Sequence, residues 1–253
     1  PEFSATRAEL AQKSVDAILD FGEKGFPGIL VETIAIFINN LAAPANTKVF
    51  SLTHRLHLTQ PQAYIFDPEL PYWIIYRNQL FDSVCRKLDF DVFEVFRDRQ
   101  LTNKLLSSSG ELRVLKSRNL SDDGKEILDI PGYDSYISYA AAKPLSVFQY
   151  LDAPNVYLTP NMTYKPRMMK KPPHCVVNGS LAILIPKGGI VPTEKQLAYF
   201  SSEEYRAFYQ IARNFQTRSL NVDACSVFFY GLLRDEAKPA PEKFDTSVQL
   251  SFL

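Results

Sequence analysis

The run from Ile29 to Ile38 is short, rich in Ile and Val, and apolar on both faces, with Glu32 and Thr33 inside it. Taken from Gly28, it still falls short of the 18 or more apolar residues of a membrane span. A run of this kind predicts a strand buried on both sides, as in an α/β sheet. Upstream, Leu10, Val15, Ile18 and Leu19 lie near helical spacing within residues 6–19, which predicts a helix or a helix running into a strand. Asp20-Phe21-Gly22 and a loop through Gly25 to Gly28 join these parts. The tract from Asn39 to Asn46, with Ala42-Ala43 and Pro44, reads as a linker. Pro1, Glu2 and Phe3 resemble a cloning remnant and stay outside the fold argument.

From about residue 47 the pattern changes. Tyr72 to Tyr76, Leu112 to Leu115 and Ala182 to Ile185 read as strands, with turns at Gly110, Asp123-Gly124 and Pro131-Gly132. Ser83 to Phe96 reads as a helix carrying Val84, Leu88, Val92 and Val95 on one side. Thr193 with Gln196, and Ser201 with Glu204, each fit a capping box. The second predicts a helix to about Phe215 that buries Tyr205, Phe208, Tyr209, Ala212 and Phe215. Cys225 to Leu233 reads as a buried strand. The expected class is α+β: a C-terminal remnant of an α/β domain over residues 1–45, then a mixed-sheet body over 46–253. With 253 residues, 46% apolar and 13% aromatic, the chain can bury a sizeable core and is not of disordered composition.

Self-sufficient chemistry is missing from the pattern. There is no phosphate-cradling glycine loop and no nucleophile elbow. His54 and His57 lack thiols or carboxylates at metal-ligand spacing, and His174-Cys175 is an adjacent pair rather than a nucleophile–base arrangement. Ser121 to Glu126 lacks calcium-loop spacing and reads as a solvated turn. Catalytic, cofactor-binding and metal residues are therefore expected to be none. Three widely spaced cysteines read as reduced thiols, and no basic segment followed by an apolar one opens the chain, so a cytoplasmic protein without membrane contact is expected.

Charge is balanced overall, 28 basic against 28 acidic residues, but unevenly spread. Residues 97–118 carry an excess of four positive charges, residues 161–174 another four with no acid, and residues 205–218 three with no acid. Such windows are either solvated faces or one basic surface for a polyanionic backbone.

Several stretches bear on that choice. Asp20-Phe21-Gly22 through Phe26-Pro-Gly-Ile-Leu-Val-Glu-Thr33 resembles the closing strands of the catalytic domain in gamma-class DNA adenine methyltransferases. Arg97-Asp-Arg-Gln-Leu-Thr-Asn-Lys104, Val114-Leu-Lys-Ser-Arg-Asn119 and Asp129-Ile-Pro-Gly-Tyr-Asp-Ser-Tyr136 resemble the recognition region of restriction–modification adenine methyltransferases, especially type IIS. So do Asn178-Gly-Ser-Leu-Ala-Ile-Leu184 and Ala212-Arg-Asn-Phe-Gln-Thr-Arg-Ser-Leu-Asn221. The resemblance spans roughly residues 15–235. It departs from the family where the catalytic Asn-Pro-Pro-Tyr and the cofactor motif should stand: Asp67-Pro-Glu-Leu-Pro-Tyr72 only echoes the former and lies downstream of its place. The resemblance implies the end of a catalytic domain plus a target recognition domain. Methyl transfer and S-adenosylmethionine binding would then belong to an upstream catalytic domain of the same polypeptide, with this fragment inactive alone. Implied partners are double-stranded DNA, that upstream domain and a cognate restriction endonuclease.

On this reading phosphate contacts position the protein and base-edge contacts specify sequence. Arg97, Arg99, Gln100, Asn103 and Lys104 supply both kinds, and Lys116, Arg118 and Asn119 repeat the mixture. Arg99, Gln100, Arg118 and Asn119 are the candidate base readers; the alternatives are an Arg97–Asp98 ion pair and a capping role for Asn103. Pro160, Pro166, Pro172 and Pro173 favour an extended course from which Lys165, Arg167, Lys170 and Lys171 would project along a backbone. Met162, Tyr164, Met168 and Met169 either pack that loop down or wedge against DNA. Arg218 is a further phosphate candidate. Three rival functions stand beside this reading, of which a self-contained hydrolase is the least supported for want of a catalytic constellation. A type I specificity subunit ordinarily carries two recognition domains and long helical spacers; a protein–protein scaffold would dock an acidic partner on the basic windows.

Overall fold

The computed structural model describes residues 4–216 and 221–235, and the chain divides into two compact units. Of the described residues, one unit comprises those from Ser4 to Arg86 together with 210–216; the other comprises Lys87–Tyr209 together with 221–235. Both are α+β, with antiparallel and mixed sheets.

In the first unit α1 (Ser4–Ala11) leads into β1 (Ser14–Gly22), the helix-into-strand alternative. β2 (Thr33–Asn39), β3 (Asn46–Ser51) and β4 (Leu56–Pro61) complete a four-stranded sheet in the order β2-β1-β3-β4. β1 is parallel to β3 and antiparallel to β2, so the sheet is mixed and the 39–46 tract connects two strands within it. Buried Gln62 opens the short α2 (Gln62–Ile65) and ties the α1–β1 junction: its amide donates to the carbonyls of Ala11 and Lys13, and its oxygen accepts from Val15 N at 2.7 Å. Asn78 caps α3 (Gln79–Cys85) by accepting from Phe81 N. Arg77 bridges Asp67 and Asp82 at 2.7 and 2.8 Å while lying over the Tyr64 ring. His57 stacks on Phe50, and His54 lies beside Tyr76 and Phe215, so both histidines pack against rings.

The Ile29–Ile38 run departs from expectation. Ile29 to Val31 lie outside any strand, and β2 forms an edge of the sheet. Phe37 is 55% exposed, with Ile34, Ile38, Leu30 and Phe26 similarly open. Burial on both faces needs a layer on each side, and the described residues supply none over this strand. The result is an uncharged strand edge, preceded across Glu32 by an exposed apolar segment.

The second unit begins with β5 (Leu88–Asp89) and β6 (Phe93–Phe96), where a helix was expected from Ser83. Asp91 has a left-handed φ of 57°, which no continuing helix tolerates, and β6 pairs residue by residue with β12. β7 (Leu112–Leu115) and β8 (Ser135–Ile137) follow, then α4 (Tyr139–Ala142), β9 (Tyr157–Pro160), β10 (Met169–Lys170), β11 (Cys175–Val177) and β12 (Leu181–Pro186). Two sheets result, β10-β9-β12-β6 and β11-β7-β8. Leu112, Val114, Ile137, Leu158, Val176, Leu181 and Ile183 fill the core they share.

α5 (Glu194–Tyr199) starts at the expected Thr193–Gln196 capping box. α6 (Glu203–Ala212) is capped by Ser202, whose hydroxyl accepts from Tyr205 N, rather than by Ser201, which donates to Asp123 O. Tyr205, Phe208 and Tyr209 are buried as expected, against Phe200, Phe229 and Tyr230. Phe215 lies past the helix end at a φ of 52° and is only half-buried. The Cys225–Leu233 segment is a 3₁₀ turn (Ser226–Phe229) followed by β13 (Leu232–Leu233), because Asp223 accepts from Ser226 N and closes a turn. Tyr72 to Tyr76 is a loop that buries Ile74, Ile75 and Tyr76 without pairing as a strand. Among the described residues no helix is long and apolar enough to cross a membrane.

Burial pushes the Cys85 thiol up to about 12. A thiol held protonated is a poor nucleophile. Cys85 is therefore expected to stay unmodified by iodoacetamide at pH 8 while the protein is folded and to react on unfolding, which mass spectrometry of the peptide would report.

Candidate nucleic-acid interface

The expected recognition segments meet at the Asn178-Gly179-Ser180 turn between β11 and β12. Asn178 N donates to Leu115 O at 3.0 Å, and Ser117 N donates to Ser180 Oγ at 3.0 Å, which holds the Lys116–Asn119 segment. Asn161, buried at the end of β9, donates from its backbone to Ser180 O at 2.9 Å and from its side chain to Gly179 O at 3.1 Å. Its oxygen accepts from Val222 N and, at 3.4 Å, from Arg97. Gly179 closes the arrangement: a Cβ there would stand 2.5 Å from the Asp98 carbonyl oxygen. Gly179→Ala must push the Arg97–Leu101 segment away, and a loss of about 1–3 kcal/mol in denaturant unfolding is expected.

Asn119 organises the turn before it. It is fully buried; its oxygen accepts from Lys116 N at 2.9 Å, and its amide donates to Leu128 O at 3.0 Å and to Asp134 at 2.7 Å. Arg113 ties the same loop to Asp129 and Asp134. Burial works to raise the Asp134 carboxyl, but Ile130 N–H, Asn119 and Arg113 outweigh it and hold it below the usual carboxylate range. A depressed carboxyl stabilises the fold above its unfolded value and loses that contribution as pH falls through its folded value. Asp134→Asn should therefore flatten the acid limb of a stability–pH curve below about pH 4.

With this support beneath them, Lys116 and Arg118 both lie over the Tyr133 ring, at 3.9 and 4.6 Å from its centroid. Lys116 donates to Tyr133 O and to Ser135 Oγ. Its own burial lowers the ammonium below its ordinary value; Asp134 opposes that shift and Arg118 adds to it. Arg118 is exposed.

Several expected contacts are corrected by burial. Asn119 is committed to its own loop and presents nothing to a base edge. Arg167 is only 8% exposed and donates to the carbonyls of Lys165, Ser117 and Leu120, bracing the 161–168 loop against the 117–120 turn instead of projecting. Lys171 is 4% exposed and donates to Leu151 O and Pro172 O. In both cases a long, buried cation is spent on main-chain carbonyls, those of Leu120 and Leu151 among them being buried contacts.

Arg99, Gln100, Asn103, Lys104, Lys165 and Lys170 are exposed, and Arg97 is half-buried. Gln100 accepts from Ser146 N at 2.6 Å, Asn103 opens a 3₁₀ turn, and Lys165 lies 3.6 Å from Asp122. Asp98 is not ion-paired to Arg97 but accepts from the backbone of Gln100 and Leu101. Arg218 lies outside the described residues. The sequence alone assigns no individual role to Tyr133, Asn161 or Gly179; its only signal is that Tyr133 and Gly179 fall inside motifs resembling recognition regions. Comparison with protein-family models gives no match, and neither does comparison with curated proteins.

Proposed function

We propose that the second unit recognises a specific sequence in double-stranded DNA as the target recognition part of a restriction–modification adenine methyltransferase, acting in the cytoplasm. The observation that carries this reading is the meeting of the Arg97–Gln100, Lys116–Arg118 and 161–167 segments at the Asn178–Ser180 turn. Segments far apart in sequence bring exposed guanidinium and ammonium groups beside exposed amides, the two contact kinds that duplex reading needs. Methyl transfer belongs to an upstream catalytic domain. Uncharged β2 and the apolar segment before it support that partner, since an unprotected strand edge is a template for a further strand.

The test is equilibrium binding to a randomised duplex pool at several salt concentrations, followed by sequencing of the retained fraction. Steep salt dependence with an enriched motif is the expected result. No retention even at low salt would overturn the reading and favour a protein-docking role for the basic windows.

A further inference from the structure

The loop between β9 and β10 carries the pairing of properties that a protein needs to enter a base stack. Met162 is 56% exposed and Tyr164 45% exposed, although both are large and apolar or aromatic. This loop is braced at both ends. At its start Asn161 is buried, bonded to the 178–180 turn, and accepts from Val222 N at both its backbone carbonyl and its Oδ1. At its end Pro166 and Met168 are buried, and Arg167 is pinned on three carbonyls. The tip is closed as well: Thr163 Oγ1 accepts from Lys165 N at 2.9 Å and donates to Lys165 O at 3.0 Å. Lys165 stands at that tip, and the Arg118–Tyr133 pair lies on the turn to which Arg167 is bonded.

We propose that Met162 and Tyr164 form a rigid apolar wedge that enters between adjacent base pairs and unstacks one step, with Lys165 on the neighbouring phosphate. Wedging requires a tip that does not collapse under load, apolar surface to replace the lost stacking, and cations to hold the distorted backbone. Unstacking at a step also makes the energy of binding depend on how deformable that step is. The inference rests on the DNA-binding reading above and specifies how that surface engages the duplex.

The test uses the full chain and a nicked plasmid bearing tandem copies of the duplex retained from the random pool. The plasmid is ligated with the chain bound and then freed of protein. A wedge unwinds DNA, so the closed circles should show a shift in linking number that grows with bound protein. Met162→Ala/Tyr164→Ala, compared at equal amounts of bound protein, should lose most of that shift per bound chain. Both side chains are exposed, and an unchanged thermal midpoint establishes that the variant folds. Lys165→Ala should weaken retention without abolishing the shift at saturation. If the wild-type chain binds the duplex with no linking shift, or the double variant shifts it equally, the wedge is overturned while DNA recognition stands. If the chain retains no DNA but sediments with phosphatidylserine-containing vesicles through Met162 and Tyr164, both readings are overturned and the tip belongs to a lipid surface.

Discussion

Replacing Arg99, Arg118 and Lys165 together by Ala should lower affinity for duplex DNA roughly 10²–10³-fold at ~0.1 M salt. The slope of log K against log salt should fall by up to about 2.7. Each of these side chains is exposed on a segment bonded, directly or through Asn161 and Arg167, to the Asn178–Ser180 turn. Removing three cations that face the polyanion, Lys165 on a phosphate and Arg99 and Arg118 at base edges flanked by phosphates, takes away up to three increments of counterion release, about 0.9 in slope apiece, and leaves the frame intact. Lys195→Ala, at an exposed position on α5, should leave the slope unchanged. Fluorescence anisotropy across a salt series reads both quantities. A triple variant whose affinity drops at every salt concentration with no change in slope would show that these groups do not neutralise phosphates. Among single variants, Arg118→Ala should also relax sequence preference, by ~1–3 kcal/mol at one position of the enriched motif, if its guanidinium reads a base edge.

The second large effect is on stability. Asn119→Leu keeps the branched outline and heavy-atom count of the side chain but strips three hydrogen bonds, leaving Lys116 N–H, Leu128 C=O and one Asp134 oxygen without that partner. A buried polar group left without a partner costs about 1–3 kcal/mol. Asp134 retains Arg113 and Ile130 N–H, which limits the total, so a loss of about 3 kcal/mol is expected in urea unfolding. Because Lys116 and Arg118 flank Asn119 and lie on Tyr133, the variant should also lose DNA affinity wherever it remains folded. Asn119→Asp is the informative companion. It keeps the acceptor for Lys116 N but sets a second carboxylate 2.7 Å from Asp134, so it should be destabilised at neutral pH and partly recover as pH falls toward 4. An Asn119→Leu protein as stable as wild type would remove this residue from the support of the turn.

What could be read from the residues alone was whatever depends on neighbours in sequence. Tyr205, Phe208 and Tyr209 recur at helical spacing, and their burial on α6 followed; Thr193 and Gln196 are three apart and form the cap of α5. β7 and β12 were legible as short apolar segments between turns. The region from Ser83 misled because Val92 and Val95 mimic helical spacing, whereas Asp91 in the left-handed region and the ladder to β12 decide for a strand. A strand's partner is distant in sequence, and so is the evidence for it. The site divides the same way. Exposed Arg99, Arg118 and Lys165 were legible as charge, but nothing local separates them from Arg167 and Lys171, whose carbonyl partners come from Ser117, Leu120 and Leu151. Asn119 looked like a reader of adenine because an amide that faces a base and an amide that closes a loop are the same residue type.

Asn161, Arg167 and Gly179 hold the converging segments through backbone groups, while Arg99, Gln100, Arg118 and Lys165 hang from the frame at solvent-facing positions. Scaffold and lettering are thus carried by different residues. On the proposed DNA-reading role, a lineage of such chains could rewrite what it recognises by exchanging the outward side chains, with little penalty to folding, so long as the three anchors are kept. The same separation makes positions 99, 100 and 118 the natural ones to randomise in a selection for new specificities.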